Sequence, residues 1–182
     1  MKKIIIIILI VSACNPADEK VNNVEILYAY DVEERIRDLG IELGEPNKPV
    51  ANYLNSVRSG NLVFMSGAGP KKSGGEFIMG KVGDDLTIEE GYEAARLTAI
   101  VLLSSLKDQI GDLNKVEQII KVTGMVNADP SFTQQPTVIN GFSDLMVEIF
   151  GERGKHARAA VGMGSLPMNI ACEIDMIVQV SE

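Results

Sequence analysis

From Ile170 to Val180 the apolar residues Ile170, Cys172, Ile174, Met176, Val178 and Val180 alternate with Ala171, Glu173, Asp175, Ile177 and Gln179. A period of two sustained over this length predicts a strand with one face buried. Such a strand constrains the fold strongly, because it needs neighbours in a sheet and a cover for its apolar face.

Two helical stripes supply the cover. Thr87-Ile88-Glu89-Glu90 has the form of a capping box, and behind it Ile88, Tyr92, Ala95, Ala99, Leu102, Leu103, Leu106 and Ile110 recur at helical spacing until Gly111. A second stripe, Val138, Phe142, Leu145, Met146 and Ile149, predicts a helix from about Gln134 to Phe150, closed by Gly151. Both stripes read as core. A short helix is expected after Asp31-Val32-Glu33-Glu34, ending at Gly40. Strands are expected over about 51–57 and 61–67, joined at Ser59-Gly60, and over Glu117 to Val126. The glycine- and lysine-rich excursion from Gly69 to Gly83 predicts a flexible loop, since it lacks the glycine pattern of a phosphate cradle. The order is strand-strand-helix-strand-helix-strand-strand, which predicts one α+β domain.

The chemistry concentrates near the C-terminus. Arg158 lies in a run of small and apolar residues, and the turn residues Gly164 to Asn169 predict a hairpin with the final strand. That hairpin would bring Arg158 near Glu173. An arginine fork suits a carboxylate, and a glutamate can position or activate water. The alternative is an ordinary solvated pair at strand ends. His156 is the chain's one histidine. It is read either as a substrate-pocket residue or as a partly buried residue bonded to backbone.

The ordered residues resemble the RidA/YjgF family, which includes reactive imine and enamine deaminases and was formerly labelled endoribonuclease L-PSP. The resemblance runs from about Glu33 to the C-terminus. It is carried by Pro49-Val50-Ala51-Asn52-Tyr53, Gly60 to Gly67, Asn127-Ala128-Asp129-Pro130, Val138-Ile139-Asn140-Gly141, Leu166-Pro167 and Glu173. The string Gly154-Lys155-His156-Ala157-Arg158 resembles a sub-branch distinct from the typical deaminases. The resemblance implies a chorismate-mutase-like, βββαβαββ-type single sheet with two helices on one face, assembled as a homotrimer with clefts between subunits. It also implies roles: Arg158 grips a substrate carboxylate, while Glu173 and the backbone carbonyl of Ala160 place water. Tyr53, Ser66 and Asn140 then line the pocket, and His156 is read beside them from its place near Arg158. Ala160 stands where the deaminases often carry a cysteine.

The N-terminus reads separately. Lys2 and Lys3 precede the apolar run Ile4 to Val11, and Ser12-Ala13-Cys14 follows. This has the form of a secretory signal, too short to span a bilayer. Cys14 resembles the lipidated cysteine of a bacterial lipobox; a buried N-terminal strand is the alternative. The expected organisation is a signal peptide over 1–13, a lipidated tether over 14–30 and the family-like domain over 31–182. The expected location is the cell envelope, with membrane contact through the lipid only. Loss of Lys2 and Lys3 would move the formal net charge from −8 to −10. That balance disfavours nucleic acid, whose binding needs clustered cations. No metal-ligand spacing appears, and no cofactor or metal is called for.

Three functions compete. The first is hydrolytic deamination of small imine or enamine acids. The second is a non-catalytic lipoprotein module that binds small carboxylates. The third, RNA cleavage, ranks last on charge and location.

Overall fold

The computed structural model describes residues 27–182 except Asn47 and Val50. The expected signal, Cys14 and most of the expected tether lie outside these residues. Residues 27–30 are packed on the domain. The Tyr28 hydroxyl donates to the Val116 carbonyl at 2.5 Å, and that of Tyr30 donates to the Ile149 carbonyl at 2.8 Å.

Helix α1, Val32–Asp38, starts where the Asp31 side chain accepts from the Glu34 N–H. Strands β1, Ser56–Ser59, and β2, Leu62–Ala68, form a hairpin whose turn carries Gly60 at φ +62°. Helix α2, Ile88–Ile110, opens with both bonds of the Thr87/Glu90 capping box and closes at Gly111, φ +80°. Leu102, Leu103 and Leu106 are fully enclosed on its inner face. Burial of each contributes about 2 kcal/mol. Strand β3, Val116–Asn127, precedes helix α3, Gln135–Phe150; strands β4, Ala157–Met163, and β5, Cys172–Val180, follow.

The five strands make one sheet in the order β1-β2-β5-β3-β4. This is the chorismate-mutase-like α+β arrangement with two strands before α2. Where a third leading strand would stand there are only single bridges: Lys71–Phe77, Met79–Ile170, Val82–Leu86 and Val82–Ala128. The core lies between the sheet and helices α2 and α3, and β5 meets it with alternating burial from Cys172 to Val180. Helix α3 sits close on α2 because Gly141 has no side chain: a Cβ there would lie 2.0 Å from the Tyr92 carbonyl oxygen.

One expectation is overturned. β4 and β5 are not a hairpin, because β3 lies between them, parallel to β4 and antiparallel to β5. After β4 the chain crosses the end of β3, where the Ala171 N–H bonds the Ile78 carbonyl and the Asn127 N–H bonds the Ala171 carbonyl. The 69–83 excursion is tied down by the same ladder, since the Val82 N–H donates to the Asn127 carbonyl.

Candidate functional site

Arg158 pairs in register with Val122, and Val122 pairs with Met176. Both partners are buried against the helices, so Arg158 points to the helical side of the sheet. Its guanidinium reaches α3. Nη1 donates to Asn140 Oδ1 and to Ser143 Oγ, both at 2.9 Å. Asn140 and Ser143 stand three residues apart on one helix and therefore share a face. These two bonds use both protons of Nη1. The Nε–H and Nη2–H edge has no partner among the described residues, and it is the edge that can grip a carboxylate with two parallel bonds. β4 is an edge strand, so this half-buried guanidinium lies at the border of the sheet.

His156 stands one step behind. Its Nδ1 lies 2.7 Å from the Gly154 carbonyl oxygen and its Nε2 3.1 Å from Ser143 Oγ. Phe142 meets the ring edge-on. Burial, opposed by the Gly154 bond and helped by the Arg158 charge, holds the imidazole pKa below its usual value. The histidine thus bonds backbone, as one reading expected, and also joins the arginine network. Ala160 pairs with Gly124 on the same side of β4 as Arg158. Ser143 was not singled out from the sequence; its i+3 spacing from Asn140 is the signal that could have found it.

Glu173 belongs to a different group. It pairs with Met125, three positions from Val122, and its neighbour Cys172 packs its thiol on Thr98 of α2. Alternation therefore turns Glu173 to the face away from the helices. Tyr53, Ser66, Gly67, Phe77, Met168 and Glu173 help line a cavity of about 770 Å³ at the end of β2 and β5. The Ser66 hydroxyl donates to the Leu54 carbonyl at 2.6 Å, and Tyr53 sits half-exposed. Ser66 and Gly67 occupy an irregularity between Met65 and Ala68, where the β2–β5 register shifts. The Glu173 carboxylate lies against Gly67, with Oε1 2.2 Å from where a Cβ would stand. Burial, then the neighbouring Asp175 charge, raises the Glu173 pKa above the ordinary carboxylate range. An acid so placed can exchange a proton nearer neutrality.

The backbone beside this cavity is strained. Met168 and Asn169 hold left-handed conformations, φ 55° and 58°, rare for side-chain-bearing residues. Asn127, fully buried, donates to Asn169 Oδ1 at 2.9 Å and so fastens the turn.

The expected site residues thus form two half-sites in one chain. Tyr53, Ser66 and Glu173 meet in the cavity. The cavity also reaches Val101, Leu102 and Ser105 of α2, whereas Arg158, Asn140, His156 and Ala160 gather beside α3 at the β4 edge. The expected proximity of Arg158 and Glu173 fails within a single chain because β3 separates their strands and alternation turns them apart. Among the described residues no group of three or more His, Cys, Asp or Glu is arranged to hold a metal ion.

Residues 33–180 match the family profile described as "YjgF/chorismate mutase-like, putative endoribonuclease". Protein TCP17 of Trypanosoma cruzi is 40% identical over 151 residues, covering 82% of this chain and 94% of the relative. Among solved structures, the Agrobacterium tumefaciens protein Atu1372, described as of unknown function, is 42% identical. Its TM-score is 0.76, over 82% of this chain and 94% of that one. A putative endoribonuclease from Shewanella oneidensis MR-1 is 32% identical with a TM-score of 0.80, covering 83% of this chain and 100% of that one.

Proposed function

Because the chain belongs to the YjgF/chorismate-mutase-like family, we propose that it hydrolyses small imine or enamine acids in clefts shared between neighbouring copies of a homotrimer. The observation that carries this reading is the separation itself. One chain presents a carboxylate-gripping arginine edge at the border of β4 and, beyond β3 at the end of β2 and β5, a cavity with a proton-exchanging glutamate. Each half has what the other lacks, and a neighbouring copy can supply it.

The open sheet face supports assembly. Val57, Phe64 and Val161 are each about half exposed, and Phe64 pairs with both Val57 and Ile177 across the strands. Among the described residues nothing covers this face, an apolar surface of the kind that protein interfaces use, and cyclic symmetry lets one surface type close a ring.

In the proposed reaction the Nε and Nη2 donors of Arg158 hold the substrate carboxylate. Water attacks the imine carbon of R₂C=NH while Glu173 takes a water proton and passes it to the imine nitrogen, giving the carbinolamine R₂C(OH)NH₂. Glu173 then carries the hydroxyl proton to the departing nitrogen, and the carbinolamine collapses to the ketone and ammonia. The Ala160 carbonyl, across the cleft, accepts a bond from the attacking water. Holding both ends in place is where the rate gain arises.

Anchoring through Cys14 in the cell envelope is part of the same proposal, supported by Lys2, Lys3, the apolar run and Ser12-Ala13-Cys14. The net charge of −8 speaks against RNA as substrate. The test is clearance of freshly generated 2-iminobutanoate by the purified protein. We expect turnover that Arg158→Ala and Glu173→Gln each remove. Equal background rates for wild type and Arg158→Ala overturn the catalytic reading, and pyruvate binding without turnover replaces it with the carboxylate-binding module.

A further inference from the structure

We propose that Ser143 and His156 are positioning residues that orient the Arg158 guanidinium through a one-way hydrogen-bond chain. The inference rests on the reading of Arg158 as the carboxylate anchor and adds two residues to it.

The direction of each bond follows from the groups present. The Gly154 carbonyl can only accept, so the His156 Nδ1 at 2.7 Å carries a proton. In the neutral ring Nε2 is then the unprotonated nitrogen, and it accepts the Ser143 hydroxyl proton across 3.1 Å. With its proton committed to the ring, Ser143 Oγ faces Arg158 with its lone pairs, and Nη1–H donates to it at 2.9 Å. The second Nη1 proton goes to Asn140 Oδ1. The guanidinium is therefore fixed at one nitrogen by two acceptors on α3, and its rotation is set so that the Nε–Nη2 edge is left for an anion. A hydroxyl free to rotate would present its proton to the arginine in some orientations and repel it. The imidazole removes that freedom. Its own ring plane is held by Phe142, whose centroid lies 6.0 Å away at 80°. The low imidazole pKa agrees with a neutral ring.

Neither residue touches the substrate in this scheme. Their effect is on how tightly the anion is held, since the arginine arrives already oriented.

The chain's one histidine makes the test direct. Protein labelled with ¹⁵N-histidine is observed by long-range ¹H–¹⁵N correlation, and pyruvate binding is measured by calorimetry on the same samples. The expected spectrum has a protonated Nδ1 and an unprotonated Nε2, and the Nε2 signal moves when pyruvate is added. Ser143→Ala should bind pyruvate roughly tenfold more weakly. Ser143→Thr, which keeps the hydroxyl, should recover most of that affinity. A neutral ring protonated at Nε2 overturns the chain. So does Ser143→Ala that binds pyruvate as tightly as wild type, or a static Nε2 signal while pyruvate binds. If wild type binds no pyruvate, the carboxylate reading of Arg158 fails, and the hydrogen-bond chain is judged on the ring tautomer alone. Dispersion of the histidine signal distinguishes a folded Ser143→Ala from an unfolded one, and the threonine variant decides the matter if alanine does not fold.

Discussion

Gly67→Ala separates the cavity's chemistry from the fold's stability. A Cβ at position 67 would stand 2.2 Å from Glu173 Oε1, 3.0 Å from its Cδ and 3.1 Å from its Cγ. Ordinary van der Waals contact begins at 3.4 Å, so the carboxylate oxygen must retreat by more than 1 Å. The backbone raises no objection, since Gly67 is not among the residues with positive φ. The displaced group is the far end of a half-buried side chain. Moving it off its preferred rotamer costs about 0.5–1.5 kcal/mol. The alanine stiffens the unfolded chain and returns about 0.4–1 kcal/mol. The two nearly cancel, and unfolding in urea should shift by less than about 1 kcal/mol. Turnover should respond differently, because misplacing a catalytic group by about 1 Å costs on the order of 100-fold. The assay pairs urea unfolding with 2-iminobutanoate clearance. A stable variant with wild-type turnover would refute the claim that the carboxylate acts from this position. A stability loss of several kcal/mol would refute the claim that the carboxylate can yield.

Two further outcomes follow from the pKa shifts. Because the Glu173 pKa is raised in the folded chain, the native state holds that proton more tightly than the unfolded state. The stability from this group is full below the ordinary carboxylate range and is lost as pH rises through the folded pKa. Glu173→Gln should therefore be more stable than wild type at about pH 8, with the difference vanishing near about pH 3; chemical unfolding at the two values checks this, and a pH-independent difference opposes it. The Cys172 thiol, enclosed and pushed up to about 12 by burial, should resist iodoacetamide in the native protein and react once unfolded. Mass spectrometry of the Cys172 peptide reads the result, and native labelling would show that this part of the core opens.

The sequence made legible whatever had a strong period. The α2 stripe and its Thr87 box, the α3 stripe and the β5 alternation all appear where residue spacing puts them, within a residue or two at their ends. The partner of β4 was not legible. Apart from Arg158, residues 157–163 are small or apolar with no alternation, so nothing in them marks which neighbour they pair with. Closeness in sequence suggested β5, yet α3 carries the chain over the sheet and sets β4 beside β3, parallel to it. The same misreading placed Arg158 beside Glu173. The arginine's tie to Asn140 rested on the family resemblance alone, and Ser143 is marked in the sequence only by its i+3 spacing from Asn140. The packing of the Glu173 carboxylate against Gly67 was hidden among 17 glycines, because no local pattern distinguishes a glycine needed for close approach from one needed for a turn.

The central claim is that Arg158 and Glu173 work together only across a subunit boundary, and mixed assemblies test it most directly. Arg158→Ala and Glu173→Gln protein, each inactive alone, are combined in equal amounts, unfolded and refolded together. Random mixing in a ring gives about one site in four an intact arginine from one copy and an intact glutamate from the next. The account predicts recovery of roughly a quarter of wild-type clearance in the mixture. A mixture that refolds and assembles yet stays as inactive as its parents would contradict it.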